Sequence, residues 1–191
     1  MMTTASDPEQ IIRDYLAAPH VVTSSREDPP GSGWRAETGT GGMDARPETL
    51  TVVKMRALGS RRLYAVTFTG RAGGPTLFFC HMIQDEHDGA WRFDGGAGGG
   101  TSGSDPRRGF AWVNLGGGGW PIRFYAGGRM VEDDAGVVTR VRLRAANGVT
   151  IEDTVDGGLA LFLTDAAVTL PIRAELLDAS GALVSQHDGL Q

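Results

Sequence analysis

Two periods organise the apolar positions of this chain. Over residues 6–18 they recur at helical spacing, with Ile11, Ile12, Tyr15 and Leu16 on one face, the stripe by which a helix covers a core. Ser6 and Glu9 stand at capping-box spacing, Pro8 falls in the first turn, and Pro19 stops the run. From Glu48 to Asp94 the period becomes two. Leu50, Val52 and Lys54 alternate with Thr51, Val53 and Met55, and a second run, 63–68, follows Gly59-Ser60. Residues 76–83 are apolar on both faces, as a central strand is, and 85–89 turn the chain back into 91–93. The pattern predicts a four-stranded antiparallel meander with the helix available to cover one face.

Between these periodic segments lies turn chemistry. Residues 21–46 are rich in Gly, Ser, Thr, Pro and charge, which predicts a long loop pinned by Trp34. Residues 96–108 read as a Gly/Ser-rich linker ending in Pro106-Arg107-Arg108. Beyond it, seven short strands centre on 110–115, 121–126, 137–145, 149–155, 159–163, 169–177 and 182–186, spaced as a sandwich requires. The expected organisation is therefore a helix-plus-meander domain over 1–95, the linker, and a seven-stranded β-sandwich over 109–191.

One hairpin has a definite register. With a three-residue loop at 146–148 and Gly148 left-handed, Ala145 faces Val149, Leu143 faces Ile151, Arg142 faces Glu152, Arg144 faces Thr150 and Arg140 faces Thr154. A two-residue turn sets Leu143 against Glu152 instead. Only the first choice buries one face, because a one-residue slip exchanges faces.

The closing hairpin, PIRAELLDASGALV over 171–184, turns on Asp178, Ser180 and Gly181. It resembles the last strands of bacterial immunoglobulin-like and fibronectin-type-III-like modules, a likeness that extends over 109–187. The resemblance implies an immunoglobulin-like sandwich and no particular activity. The cysteine pair and core tryptophan of antibody domains are missing. The first half resembles the helix-and-curved-sheet fold of the nuclear-transport-factor-2-like type, which implies a pocket, but only one helix precedes its strands.

Composition narrows the functional classes. The net charge of −5 opposes general binding to nucleic acid or acidic membranes. Lys54 is the only lysine, which removes most Schiff-base and P-loop chemistry. Cys80 is the only cysteine, so an intrachain disulfide and a thiolate-rich metal site are excluded. The opening MMTTASDPEQ has neither a basic nor an apolar signal region, and the longest apolar stretch, near 159–163, is far short of ~20 residues. A cytoplasmic bacterial protein is the expectation.

No motif fixes a reaction. His81, Asp85, Glu86, His87 and Asp88 are ligand-type side chains, but His81 belongs to a strand and the others to the turn beyond it. A polar hairpin tip and a hydrogen-bonded strand histidine are expected, without a metal. The GxGxxG match at 98–103 does not open a helix, so no dinucleotide cofactor is expected. Ser102 and Ser104 lack a rigid elbow, and Cys80 reads as a buried hydrophobe turned away from His81. Arg140, Arg142 and Arg144 form a strand face paired with Glu152 rather than an anion stripe. Trp112, Trp120, Phe124 and Tyr125 flank the glycines at 116–119 and are assigned to core. Catalytic, cofactor-binding and metal residues are accordingly expected to be none.

Two functions fit these residues. One is a non-catalytic binding or assembly module acting through protein–protein contacts, with a protein partner or self-association. The other is a small-ligand-binding protein or acid/base enzyme using His81 or Asp94 in a pocket between the meander and the sandwich.

Overall fold

The computed structural model describes residues 7–27, 35–70, 73–100, 110–118, 123–130 and 137–190. The protein is mainly β, with one N-terminal helix and antiparallel sheets. The helix, α1 (Pro8–Ala17), starts on Asp7, whose side chain accepts a hydrogen bond from the Glu9 amide at 3.1 Å. This replaces the expected capping box; Ser6 lies outside the described residues. Ile12 and Leu16 are its buried side chains, as the helical stripe requires.

The expected long loop over 21–46 is instead largely a two-stranded ribbon, β1 (His20–Glu27) with β2 (Arg35–Gly41). Its base is tied to the helix end, where the Met43 and Ala45 amides donate to the Leu16 carbonyl at 3.1 and 2.9 Å. The ribbon escaped the period count because its strands carry no alternating apolar residues in sequence. Trp34 lies outside the described residues.

Next come β3 (Thr51–Leu58), β4 (Arg61–Thr69), β5 (Pro75–Gln84) and β6 (Trp91–Gly100), one antiparallel sheet in the order β3-β4-β5-β6. The expected linker is corrected here, since 96–100 form the second half of β6, with Gly96 opposite Cys80 and Gly98 opposite Phe78. The glycines are needed for close approach. A Cβ on Gly96 would stand 2.5 Å from the Phe78 ring, and one on Gly98 would stand 2.2 Å from the Leu77 carbonyl oxygen. Residues 101–108 of the expected linker lie outside the described residues.

The rest of the chain makes two more sheets. β7 (Phe110–Gly118), β8 (Arg123–Met130) and β11 (Leu159–Thr164) pair in the order β11-β8-β7. β9 (Arg140–Ala145), β10 (Thr150–Thr154), β12 (Ile172–Leu177) and β13 (Leu183–Leu190) pair in the order β10-β9-β12-β13. The β9–β10 hairpin has the register derived above, Leu143 on Ile151 and Arg142 on Glu152, with Gly148 at φ 83°.

The three large sheets are stacked, and side-chain alternation explains how. On β4 and β5, Tyr64, Val66, Phe78, Cys80 and Met82 face Ile12 and Leu16 of α1. The opposite set, Leu63, Ala65, Leu77 and Phe79, packs on Tyr125, Leu159, Leu161 and Leu163 of the middle sheet. The other face of that sheet, with Phe124, Ala126, Ala160 and Phe162, packs on Val141, Leu143, Ile151, Ala174 and Leu176. β11 is therefore buried on both faces from Leu159 to Leu163, which is why it reads as a continuous apolar run. No helix among the described residues is long and apolar enough to cross a membrane.

Candidate functional site

Strand geometry assembles a polar cluster inside the second interface. His81 shares the β5 face of Leu77 and Phe79, and β4 puts Leu63 directly opposite it. Arg61, two residues before Leu63, is thus the diagonal neighbour of His81 on the same face. Both side chains are buried, at 2% exposure for Arg61 and 0% for His81. His81 Nδ1 lies 2.8 Å from Asp94 Oδ2 on β6, and the Arg61 Nε–H donates to His81 Nε2 at 3.1 Å. Arg61 continues to the Thr164 carbonyl at 2.9 Å, the Phe124 carbonyl at 3.3 Å and Asp165 Oδ1 at 2.8 Å. The Tyr125 ring stacks on the imidazole at 4.3 Å.

The donor inventory fixes what this cluster does. A guanidinium only donates, so His81 Nε2 accepts and the ring proton sits on Nδ1, donated to Asp94. Both ring nitrogens are engaged within the fold, so the arrangement positions a buried cation and joins β4, β5, β6 and β11. Burial, and then the Asp94 carboxylate, push the Tyr125 hydroxyl above its ordinary pKa, while Arg61 opposes them.

A second cluster ties the sheet edges together on one side of the stack. Lys54 Nζ lies 2.7 Å from Asp153 Oδ2, donates to the Leu159 carbonyl at 3.0 Å and also reaches the Thr154 carbonyl. Arg56 Nη1 lies 3.0 Å from Asp153 Oδ1 and donates to the Glu152 and Leu161 carbonyls at 2.8 and 3.0 Å. Asp153 also accepts from the Leu161 amide at 2.7 Å. Two cations from β3 thus occupy carbonyls along β10 and β11, neither of which has a strand on that side among the described residues. The carbonyls gain charge-assisted partners in place of a ladder.

The other residues singled out by sequence are distributed differently. Asp85 Oδ1 accepts from the His87 amide at 2.7 Å and Asp88 Oδ1 from the Ala90 amide at 2.8 Å, so these carboxylates build the β5–β6 turn. Among the described residues, no group of three or more His, Cys, Asp or Glu could hold a metal ion. Cys80 faces α1, away from His81, and burial pushes its thiol pKa far up, which suppresses thiolate chemistry. Arg140 and Arg142 pair with Glu152 at 3.0 and 2.8 Å, and Arg142 and Arg144 with Glu175 at 3.3 and 2.5 Å. Phe124 and Tyr125 are buried on opposite faces of the middle sheet. Trp112 lies in β7, 116–118 end that strand, and Ser102, Ser104 and Trp120 lie outside the described residues.

Sequence reasoning offered His81 or Asp94 as an acid/base group without pairing them, and the structure joins the two. It overlooked Arg61, Asp165 and Asp153; for Arg61, the β4–β5 register carried the signal. One cleft of about 350 Å³ opens between Val53 and Leu77 of the first sheet and Met130 and Leu159, with Arg129 and Asp156 at its wall. Comparison with protein-family models, with curated proteins and with solved structures yields no match.

Proposed function

We propose that the chain is a non-catalytic binding or assembly module acting through protein–protein contacts. The observation that carries this reading is the outer edge of β13. Among the described residues the strand is the last in its sheet; it is eight residues long and starts with Leu183 and Val184 at 56% and 39% exposure. An edge strand offers backbone donors and acceptors to an added strand, and exposed apolar side chains add a reason to cover it. We further propose that β7–β13 form an immunoglobulin-like sandwich of the fibronectin-type-III kind. The order β11-β8-β7 against β10-β9-β12-β13 supports this, with the fourth of the seven strands beside the third rather than beside the fifth. In this reading β3–β6 are the meander half, the boundary falls between β6 and β7, and the protein works in the cytoplasm, where an unpaired Cys80 suits the redox conditions.

The alternative, a small ligand held between the two halves, has the cleft beside Val53 and Met130 in its favour. Its acid/base form is opposed by the engagement of both His81 nitrogens. Untargeted mass spectrometry of proteins and small molecules retained by the native protein, with light scattering of the purified chain, separates the two. A retained protein or a second copy supports the module. A monomer that retains only a small molecule overturns it.

A further inference from the structure

We propose that the partner at β13 is a second copy of this chain, added antiparallel about a two-fold axis at Gln186. Two four-stranded sheets then become one eight-stranded sheet. This rests on the reading of β13 as a binding edge and names its occupant.

The asymmetry of the sheet edges carries the argument. The sheet β10-β9-β12-β13 has two outer strands, and β10 is already covered. Arg56 donates to the Glu152 carbonyl, Lys54 reaches the Thr154 carbonyl, and Asp153 between them holds both cations. A second copy's β13 therefore cannot add to β10. Head-to-tail growth through this sheet is thereby blocked, since of its two edges only β13 is left, and isologous pairing of β13 with β13 closes as a dimer.

The strand is complementary to itself in that register. Gln186 meets the partner's Gln186, and its amide both donates and accepts. Ser185 meets the partner's His187. Within one strand Ser185 Oγ already lies 3.3 Å from His187 Nε2, so the two groups share a face and have matching roles across the axis. On the outer face, pairing aligns Glu152, Arg142, Glu175 and Gln186 in one row. Neutral amides stand at the seam of that row, and no like charges meet.

Leu183 and Val184 lie toward the far end of the partner strand and lose water there. The ladder is interrupted at Val184, where the register passes from Leu177–Leu183 to Leu176–Ser185. The regular edge is consequently short and the shared interface small, so the dimer is weak, with a dissociation constant on the order of 10–100 µM.

Sedimentation of the full chain from about 1 µM to 1 mM tests this. The wild type is expected to pass from monomer to dimer. Gln186→Lys alone and Gln186→Glu alone put like charges across the axis and should each weaken the dimer about tenfold or more. An equimolar mixture of the two should restore it, which also shows that both variants are folded. A wild type that stays monomeric overturns the inference, as does a dimer insensitive to either charge or a mixture that fails to recover. If the monomer instead retains a different protein, and Gln186→Lys releases it, the edge is a binding site and the second copy is the part that falls.

Discussion

Gly127 and Phe79 provide the most direct test of how the sheets are stacked. Gly127 lies on β8 beneath the ring of Phe79 on β5, where an added Cβ would stand 2.5 Å from Cδ1 and Cε1 and 2.8 Å from Cγ. Phe79 is fully buried, so its ring has no room to swing aside. Gly127→Ala gains about 0.4–1 kcal/mol from a stiffer unfolded chain and loses about 1–3 kcal/mol to overpacking. The net expectation is a loss of about 1–2 kcal/mol. Phe79→Leu alone loses ring burial and leaves a gap, roughly 1–2 kcal/mol. Together the two changes relieve each other, because the added methyl enters the space the ring vacates. The double variant should therefore be at least about 1 kcal/mol more stable than the sum of the single effects. Equilibrium urea unfolding, with one slope shared by all four proteins, measures the cycle. Additivity within about 0.5 kcal/mol would refute the stacking of these two sheets.

Four further outcomes follow from the polar clusters and the layering. Lys54→Met should cost about 1–3 kcal/mol in urea unfolding, since Arg56 still pairs with Asp153, whereas Asp153→Asn leaves Arg56 without its carboxylate and Lys54 with only the exposed Asp156 at 3.5 Å, and should cost about 3–5 kcal/mol; an equal or negligible cost for both contradicts the clamp. Nitrogen-15 NMR of the imidazoles should report the Nδ1–H tautomer for His81, and Arg61→Met should lose about 3 kcal/mol or more; the opposite tautomer refutes the donor assignment. Glu152 is held below its usual pKa, first by the hydrogen bond from Arg142 and then by the Arg142 and Arg140 charges. A depressed folded value means its stabilisation is complete above the unfolded value near 4.5 and fades as pH falls below it, so Glu152→Gln should flatten urea unfolding between about pH 5 and 3 by a small, salt-sensitive amount. A chain cut to 109–191 exposes Tyr125, Leu159, Leu161 and Leu163 and should lose cooperative unfolding by near-UV circular dichroism; a sharp transition in that fragment contradicts a middle sheet that needs both neighbours.

Legibility in the sequence followed whether an element is specified by its own face or by a neighbour. The β9–β10 register was readable because only one pairing lets Leu143 and Ile151 share a buried face. The α1 stripe was readable for the same reason. β6 was readable only at its start, 91–93; its second half was not, because the glycines there are required by Phe78 lying against them, and the run 95–100 itself resembles a linker. The β1–β2 ribbon was not, since Thr23, Ser24 and Ser25 show no apolar period. His81 and Asp94 were named as alternative acid/base groups on chemistry alone, and their hydrogen bond to each other was not foreseen. The buried Arg61 went unnoticed because a strand-initial arginine after Gly59-Ser60 looks solvent-facing until the Leu63–His81 pairing turns it inward.

Lys54 shows most clearly how a single composition fact acquires meaning from topology. As the lone lysine it excluded reactions and suggested nothing. In the stack, β3, β11 and β10 are the outer strands of three sheets on one side, while β6, β7 and β13 are the outer strands on the other. Lys54 and Arg56 bridge the first trio by occupying carbonyls that a strand ladder would otherwise engage. A charge that points inward along an edge blocks strand addition there at little cost, because Asp153 neutralises it in place. Of the two edges of the sheet β10-β9-β12-β13, this leaves β13 alone without such a clamp among the described residues. A sheet with one open edge could add a strand there but could not propagate through both edges.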